Sequence, residues 1–168
     1  DASSSFLRGP AAAPQAIRAA LRSPSSNEWS EAGLELVEGD AFTDAGDLEL
    51  PESGDARALI EAGVREILDR GDRPVSLGGD HSVHAPVIKA FEGRGPIHII
   101  HFDAHLDFVD ERHGVRYGHG NPLRRASEMN HIVGMTQMGI RNVSSSNRDD
   151  YEAAHEAGSK ILSVRDVR

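Results

Sequence analysis

The sequence predicts an α/β domain in three layers, a parallel sheet with helices on both faces. Two observations carry that expectation. From residue 55 onward, helix-period patterns and short apolar strand signals alternate along the chain, as they do in sheets assembled from βαβ units. The run Ile97-His98-Ile99-Ile100-His101-Phe102 reads as a strand buried on both faces, which is how parallel sheets hold their strands.

In chain order, Pro14 is placed to open a helix over Gln15 to Leu21, because the donors of a first turn are unpaired anyway. Pro24 stops it. Residues 35–50 hold two weak strand patterns broken by the turn dipeptides Gly39-Asp40 and Gly46-Asp47, so edge structure or loop is expected. Between Asp55 and Arg70, Ile60, Val64, Ile67 and Leu68 recur at i, i+4, i+7 and i+8. That is an amphipathic helix, capped by Gly71. Pro74-Val75-Ser76-Leu77 then gives a short buried-strand signal ending at Gly78-Gly79, followed by a helix from Ser82 to Phe91 with Pro86 in its first turn. After the strand at residues 97–102, another is expected at Val133 to Ile140. A helix N-capped by Asn147, with Asp150 three residues on, runs to Gly158, and a last strand covers Lys160 to Val164. The whole chain, 1–168, is read as one α/β domain.

Charge and composition narrow the chemistry. Eighteen Lys+Arg against 27 Asp+Glu leave a formal net charge of −9, which repels phosphodiesters and favours cations, so nucleic acid is not expected as a partner. No apolar run is long enough to span a bilayer. With no cysteine in the chain, disulfides, zinc–thiolate sites and thiol nucleophiles are excluded, and the lack of a charged-then-apolar leader predicts a cytoplasmic protein. Seven of the nine histidines (His81, His84, His98, His101, His105, His113 and His119) fall within 39 residues. Metal coordination and proton transfer are the chemistries that gather imidazoles in this way.

Ligand sites of parallel sheets lie beyond the carboxyl ends of the strands. Gly78-Gly79-Asp80-His81-Ser82 follows one predicted strand and Asp103-Ala104-His105-Leu106-Asp107 the next. In the second segment the spacing of two points all three polar side chains one way if the strand direction persists. Two carboxylates so placed must protonate or recruit positive charge, and an oxygen-rich set with a minority of imidazole and no thiolate suits manganese better than structural zinc, with zinc, cobalt or iron as alternative occupants. Asp80 is expected to orient a ligating histidine through its second nitrogen. His98 and His101 are expected in the core or behind the ligands, and His84, one turn past His81 and within reach of the site, is expected by default to pack. His113 and His131 are read as loop histidines and His155 as exposed. Asn142-Val143-Ser144 matches a glycosylation acceptor and is discounted for want of a secretory signal.

The ordered pair of motifs, 78–82 and 103–107, resembles the two N-terminal metal motifs of the ureohydrolases: arginase, agmatinase, guanidinobutyrase, proclavaminate amidinohydrolase and formimidoylglutamase. Weaker echoes are Arg8-Gly9-Pro10 with Ala13-Pro14-Gln15-Ala16-Ile17-Arg18, Asp44-Ala45-Gly46-Asp47, His119-Gly120-Asn121-Pro122 and Gln137-Met138-Gly139-Ile140-Arg141. The resemblance implies the arginase/deacetylase-like version of the fold and two Mn2+ ions per active site. His81 and Asp107 would bind one ion, His105 the other, and Asp103 would bridge them. It further implies water activated between the ions as nucleophile, Asp107 hydrogen-bonding it, and His119 as the acid/base or proton-shuttle residue. Relatives form trimers or hexamers, so a homo-oligomer is expected.

The family's third motif, Asp-x-Asp, is absent: Asp149-Asp150 are adjacent and Asp166 stands alone. The chain also begins after the family's first strand, so the resemblance implies a domain incomplete at both ends. The arginine-head contacts of arginase, Asn and Ser on the loop before the catalytic histidine and a later Asp, have no match in Phe108 to Gly118 or near Ser144. An agmatinase-like enzyme is therefore the leading expectation, with agmatine converted to putrescine and urea. On the same loop Asp110 and Glu111 suit an ammonium, whereas Arg112 and Arg116 suit a carboxylate, which keeps guanidinobutyrase and formimidoylglutamase as alternatives. From another class, a non-catalytic or single-metal module of the same fold is the competing expectation.

Overall fold

Residues 7–51, 55–141 and 145–167 are described by a computed structural model of the chain. The acceptor-like Asn142-Val143-Ser144 lies outside them. A 3-10 turn at Pro10–Ala12 leads into helix α1 (Ala13–Leu21), with proline at its start as the sequence requires. Residues 28–42 form only isolated bridges, Trp29 with Glu35 and Glu38 with Phe42. This segment is tied to α1 by charge: Arg18 Nε lies 2.8 Å from Asp44 Oδ2, and Arg22 Nη2 lies 2.9 Å from Glu38 Oε2. Helix α2 (Arg57–Asp69) buries Ile60 and Val64, the stripe its period demands.

The predicted strand at Pro74-Val75-Ser76-Leu77 is not formed. Residues 72–78 belong to no ladder among the described residues, and Val75 is 86% exposed. An apolar run becomes a strand only where a neighbour takes its backbone groups, and no described segment lies alongside to do so. The following helix is split. A 3-10 turn at His81–Val83, N-capped by Asp80, runs into α3 (His84–Lys89).

The sheet is parallel and three-stranded, in the order β1 (Ile97–Phe102), β2 (Ile132–Ile140), β3 (Ser159–Ser163). Between β1 and β2 lies α4 (Pro122–Ser127), and between β2 and β3 lies α5 (Arg148–Glu156), so the crossovers are helical as parallel pairing requires. The expected capping box of α5 is present: Asn147 Oδ1 accepts from the Asp150 N–H at 3.0 Å, and Asp150 Oδ2 accepts from the Asn147 N–H at 2.8 Å. Helix α4 was not anticipated. Pro122 after Asn121, in the first turn, is the signal that announces it.

One face of the sheet carries the core. Ile99 and Met135 pack with Ile88 of α3, Leu123 and Ala126 of α4, Ala154 of α5, and Leu106 and Phe108 from the segment after β1. Leu106, Phe108 and Leu123 are fully buried, and each such side chain contributes about 1.5–3 kcal/mol. The expectation that β1 is buried on both faces does not hold among the described residues. Ile100 is 63% and Phe102 76% exposed on the opposite face, where His98 Nε2 meets Thr136 Oγ1 at 2.9 Å. Side chains alternate along a strand, so packing α3, α4 and α5 on one side leaves that face bare. Among the described residues strand β1 also pairs on one side only. No helix of the described residues is long and apolar enough to cross a membrane.

Candidate metal centre

The site lies where the segments after residues 72–78 and after β1 meet. Strand β1 ends at Phe102, and the strand direction does not persist through residues 103–107. Asp103 Oδ1 accepts from the His105 N–H at 2.8 Å, an Asx turn that breaks the alternation. Asp107 sits in the left-handed region with φ of 51°, a conformation uncommon for a residue with a Cβ and frequent at functional sites. The outcome is that Asp103 and Asp107 converge while His105 is turned outward, its side chain 52% exposed.

Three backbone features aim this turn. Asp103 N–H donates to Met138 O at 3.1 Å and Arg141 N–H to Ala104 O at 3.0 Å, extending the β1–β2 contact past both strand ends. Gly139, with φ of +89°, makes that possible. A Cβ there would lie 3.3 Å from the Asp103 carbonyl oxygen, at the point where the β2–β3 register shifts. On the other segment, a Cβ on Gly79 would come within 3.1 Å of the Ala11 backbone. The Pro10–Ala12 turn thus packs directly against the loop that presents His81.

His81, His101, Asp103 and Asp107 each offer a ligand atom, and these atoms all lie within 4.8 Å of one another. His81 Nδ1 is 2.5 Å from Asp107 Oδ2, and His81 Nε2 is 2.6 Å from His84 Nδ1. The His81 and His101 rings stack with centroids 5.4 Å apart. His101 Nε2, buried and without a hydrogen-bond partner, faces Asp103 Oδ2 at 3.6 Å. Burial and the neighbouring imidazoles hold His84 well below the usual histidine range, at about 4. Burial likewise pushes His101 down, with His81 adding to it.

Sequence reasoning placed His81, Asp103 and Asp107 here, and the structure brings them together. His105 lies at the edge, its Nδ1 3.4 Å from Asp103 Oδ1. His101, expected in the core or behind the ligands, is a member of the cluster, and His84 reaches His81 directly. Asp80 Oδ1 accepts from the Ser82 N–H at 2.9 Å, capping the 3-10 turn. His131, read as a loop residue, is buried with Nε2 3.0 Å from Ile88 O. His155 is exposed as expected, and His113 is a turn residue with φ of 52°.

Two polar residues that hold the site were quoted in the sequence only as motif echoes. Gln137 is fully buried on β2, opposite His101 in register. Its Nε2 donates to Leu106 O at 2.7 Å and meets His101 Nδ1 at 3.2 Å, while its Oε1 accepts from Ser159 Oγ at 2.8 Å. A carbonyl can only accept, so Leu106 fixes which end of the amide is the NH2. His101 Nδ1 is then an acceptor, and the proton of neutral His101 sits on Nε2, toward Asp103. Asn121, 2% exposed, accepts from the Gly118 N–H at 2.9 Å and donates to Val109 O at 2.7 Å. It closes the loop that carries His119, a half-buried turn residue just before α4. Arg57 of α2, 3.6 Å above the Tyr117 ring, braces the same loop from outside.

The donor set fits a divalent cation. Two carboxylates and imidazole nitrogens converge in a partly buried place without thiolate, the oxygen-rich mixture that manganese accepts, and the clustered carboxylates gain from a positive charge between them. A parallel α/β sheet with a His/Asp cluster beyond its strand ends defines an α/β protein with a candidate metal centre. The family follows from sequence similarity: residues 1–168 match the Arginase family throughout, and the chain belongs to it. The solved arginase from Medicago truncatula superposes with a TM-score of 0.88 at 32% identity, over 96% of this chain and 53% of that one. Formimidoylglutamase from Bacillus subtilis gives 0.87 at 29% identity, over 99% and 53%. Agmatinase of Bacillus subtilis is 40% identical over 123 residues, 71% of this chain and 41% of its own length. The chain spans about half the length of the curated relatives it matches. The similar proteins and solved structures include arginase, agmatinase and formimidoylglutamase, so similarity does not choose among their substrates.

Proposed function

We propose that the protein containing this chain is a metal-dependent hydrolase of a guanidino C–N bond, with agmatine as the preferred substrate and putrescine and urea as products. The observation that carries this reading is the convergence of His81, Asp103 and Asp107 at the strand ends of an arginase-family chain. His81 and Asp107 would hold one Mn2+, His105 the second, with Asp103 between them. Bound there, the pair would lower the pKa of water toward neutrality.

The chain's own residues then have separable tasks. Asp107 is aimed by its left-handed backbone and accepts hydrogen bonds in a nearly buried position. His119 supplies a proton to the departing amine nitrogen as the C–N bond breaks and the water oxygen joins the guanidino carbon. Asn121 holds the loop that presents it.

The preference for agmatine is supported by how the loop charges are spent. Asp110 is bound by Arg125 and by Arg116, the latter at 3.2 Å, and Arg125 holds its carboxyl below the usual range. Arg112 donates to Ser145 O at 2.9 Å. The groove beside this loop is lined by Val109, Glu111, Arg112, Ser145, Ser146, Asn147 and Asp150. Glu111 and Asp150 outweigh the single cation Arg112 in this lining, so the groove is acidic by one charge and suits the distal ammonium of agmatine. A carboxylate-ended guanidino acid is less well served there.

Turnover of the intact protein with Mn2+ tests the reading. Urea from agmatine, faster than from arginine or 4-guanidinobutyrate, is expected. Turnover of 4-guanidinobutyrate or formimidoylglutamate with agmatine inert would overturn the substrate. The absence of urea or formamide from all four compounds would favour a non-catalytic module.

A further inference from the structure

His84 is outside the proposed ligand set, yet its Nδ1 lies 2.6 Å from His81 Nε2 with the two rings tilted by 41°. Local geometry explains the contact. His81 opens a 3-10 turn and His84 opens α3, and 3-10 spacing eclipses side chains at i and i+3. Ala85, Pro86 and Ile88 of α3 are buried, so the His84 backbone is fixed against the core.

The two nitrogens of His81 therefore face different partners. Nδ1 looks toward Asp107 at 2.5 Å, inside the carboxylate cluster. Nε2 looks toward His84. An imidazole that gives its Nδ1 lone pair to a cation keeps its proton on Nε2, and that N–H needs an acceptor. The acceptor is usually a carboxylate or a carbonyl; here the atom in place is the Nδ1 of a second imidazole.

We propose that His84 is a positioning residue: its Nδ1 accepts the His81 Nε2–H and so holds His81 with Nδ1 bare and aimed at the cation. This rests on the metal-centre reading above. With Nδ1 of neutral His84 accepting, its own proton resides on Nε2. The pair then forms a short relay of two imidazoles, with the cluster at one end and α3 at the other.

Two measurements on the intact protein test it. In the metal-free protein, a through-hydrogen-bond 15N–15N coupling between His81 Nε2 and His84 Nδ1 is expected whichever ring carries the shared proton, and its absence would overturn the contact. In Mn2+ titration calorimetry, His84→Phe keeps a ring but loses the acceptor and should weaken binding about 10- to 100-fold. His84→Asn, whose Oδ1 reaches close to the Nδ1 position, should stay within about threefold of wild type on the same principle. Wild type that binds no Mn2+ would overturn the metal reading itself. Wild-type binding matched by His84→Phe, or a His84→Asn variant as weak as His84→Phe, would overturn the role of His84 alone.

Discussion

Replacing Gln137 with leucine should cost far more stability than its small change in volume suggests. The amide is fully buried and serves three groups at once: Leu106 O, His101 Nδ1 and Ser159 Oγ, at 2.7, 3.2 and 2.8 Å. Leucine fills the space and satisfies none of them. A buried polar group left without its partner costs about 1–3 kcal/mol. The serine hydroxyl can rotate toward another acceptor, so two groups bear the loss and about 3–5 kcal/mol is expected. That is a large share of the roughly 5–15 kcal/mol that holds a domain folded. Urea unfolding of the metal-free protein followed by circular dichroism measures it: the midpoint should fall with the slope unchanged. Ser159→Ala, which leaves one buried acceptor, the glutamine oxygen, unpaired instead of two groups, should lose less, about 1–3 kcal/mol. A Gln137→Leu variant within 1 kcal/mol of wild type would refute the network as described.

Three further outcomes are expected. His119→Asn should lower kcat by about 100-fold with little change in KM, since a general acid contributes at that scale to the step and not to binding; equal losses in substrate affinity would argue for a binding role instead. Asn121→Ala should destabilise by about 2–4 kcal/mol, because it strands the Gly118 N–H and Val109 O inside the loop, and hydrogen exchange should show residues 109–120 opening first. Asp55, held at about 2 by the Arg57 guanidinium and the Arg57 N–H, has a folded pKa below its usual value. Its contribution is therefore complete above about pH 4 and is lost as the pH falls through 2. An NMR titration with an Asp55 midpoint near 4 would contradict the contact.

The local signals in the sequence were legible where one residue determined the geometry. Proline started α1, the Asn147–Asp150 box started α5, and apolar spacing placed α2, because each of these effects acts within a few residues. The strand at 74–77 was misread for the opposite reason: its residues have the right character, but a strand is a relation between two segments and only one of them is described. The same limit applies to β1, whose exposed Ile100 and Phe102 look identical in sequence to buried ones. At the site, residue type and spacing located His81, Asp103 and Asp107, yet their convergence is produced by an Asx turn and a positive φ at Asp107, and the assumption of a persisting strand missed both. Gln137 and Asn121 gave only motif echoes, since a buried amide is recognisable by its partners, and these include His101 at 36 residues from Gln137 and Val109 at 12 residues from Asn121.

The surroundings of Asp103 sort the two imidazoles that flank it. His101 Nε2 stands 3.6 Å from Oδ2 and His105 Nδ1 3.4 Å from Oδ1, so distance alone does not distinguish a ligand from a hydrogen-bond donor. The second nitrogen of each ring does. His101 Nδ1 is taken by the Gln137 amide, whose direction Leu106 O dictates, and this leaves a proton on the Nε2 that faces the carboxylate. A protonated nitrogen has no lone pair to give, so His101 turns a proton and not a ligand nitrogen toward Asp103, at a distance longer than a hydrogen bond. His105 carries no such constraint: it is half exposed, and its ring is free to turn a bare nitrogen toward an ion beside Asp103 without breaking a buried hydrogen bond. Burial thus fixes the direction of the His101 proton, and exposure leaves His105 unconstrained. In the pair His81 and His84 the second nitrogen is again decisive, since His84 Nδ1 stands 2.6 Å from the His81 nitrogen that faces away from Asp107.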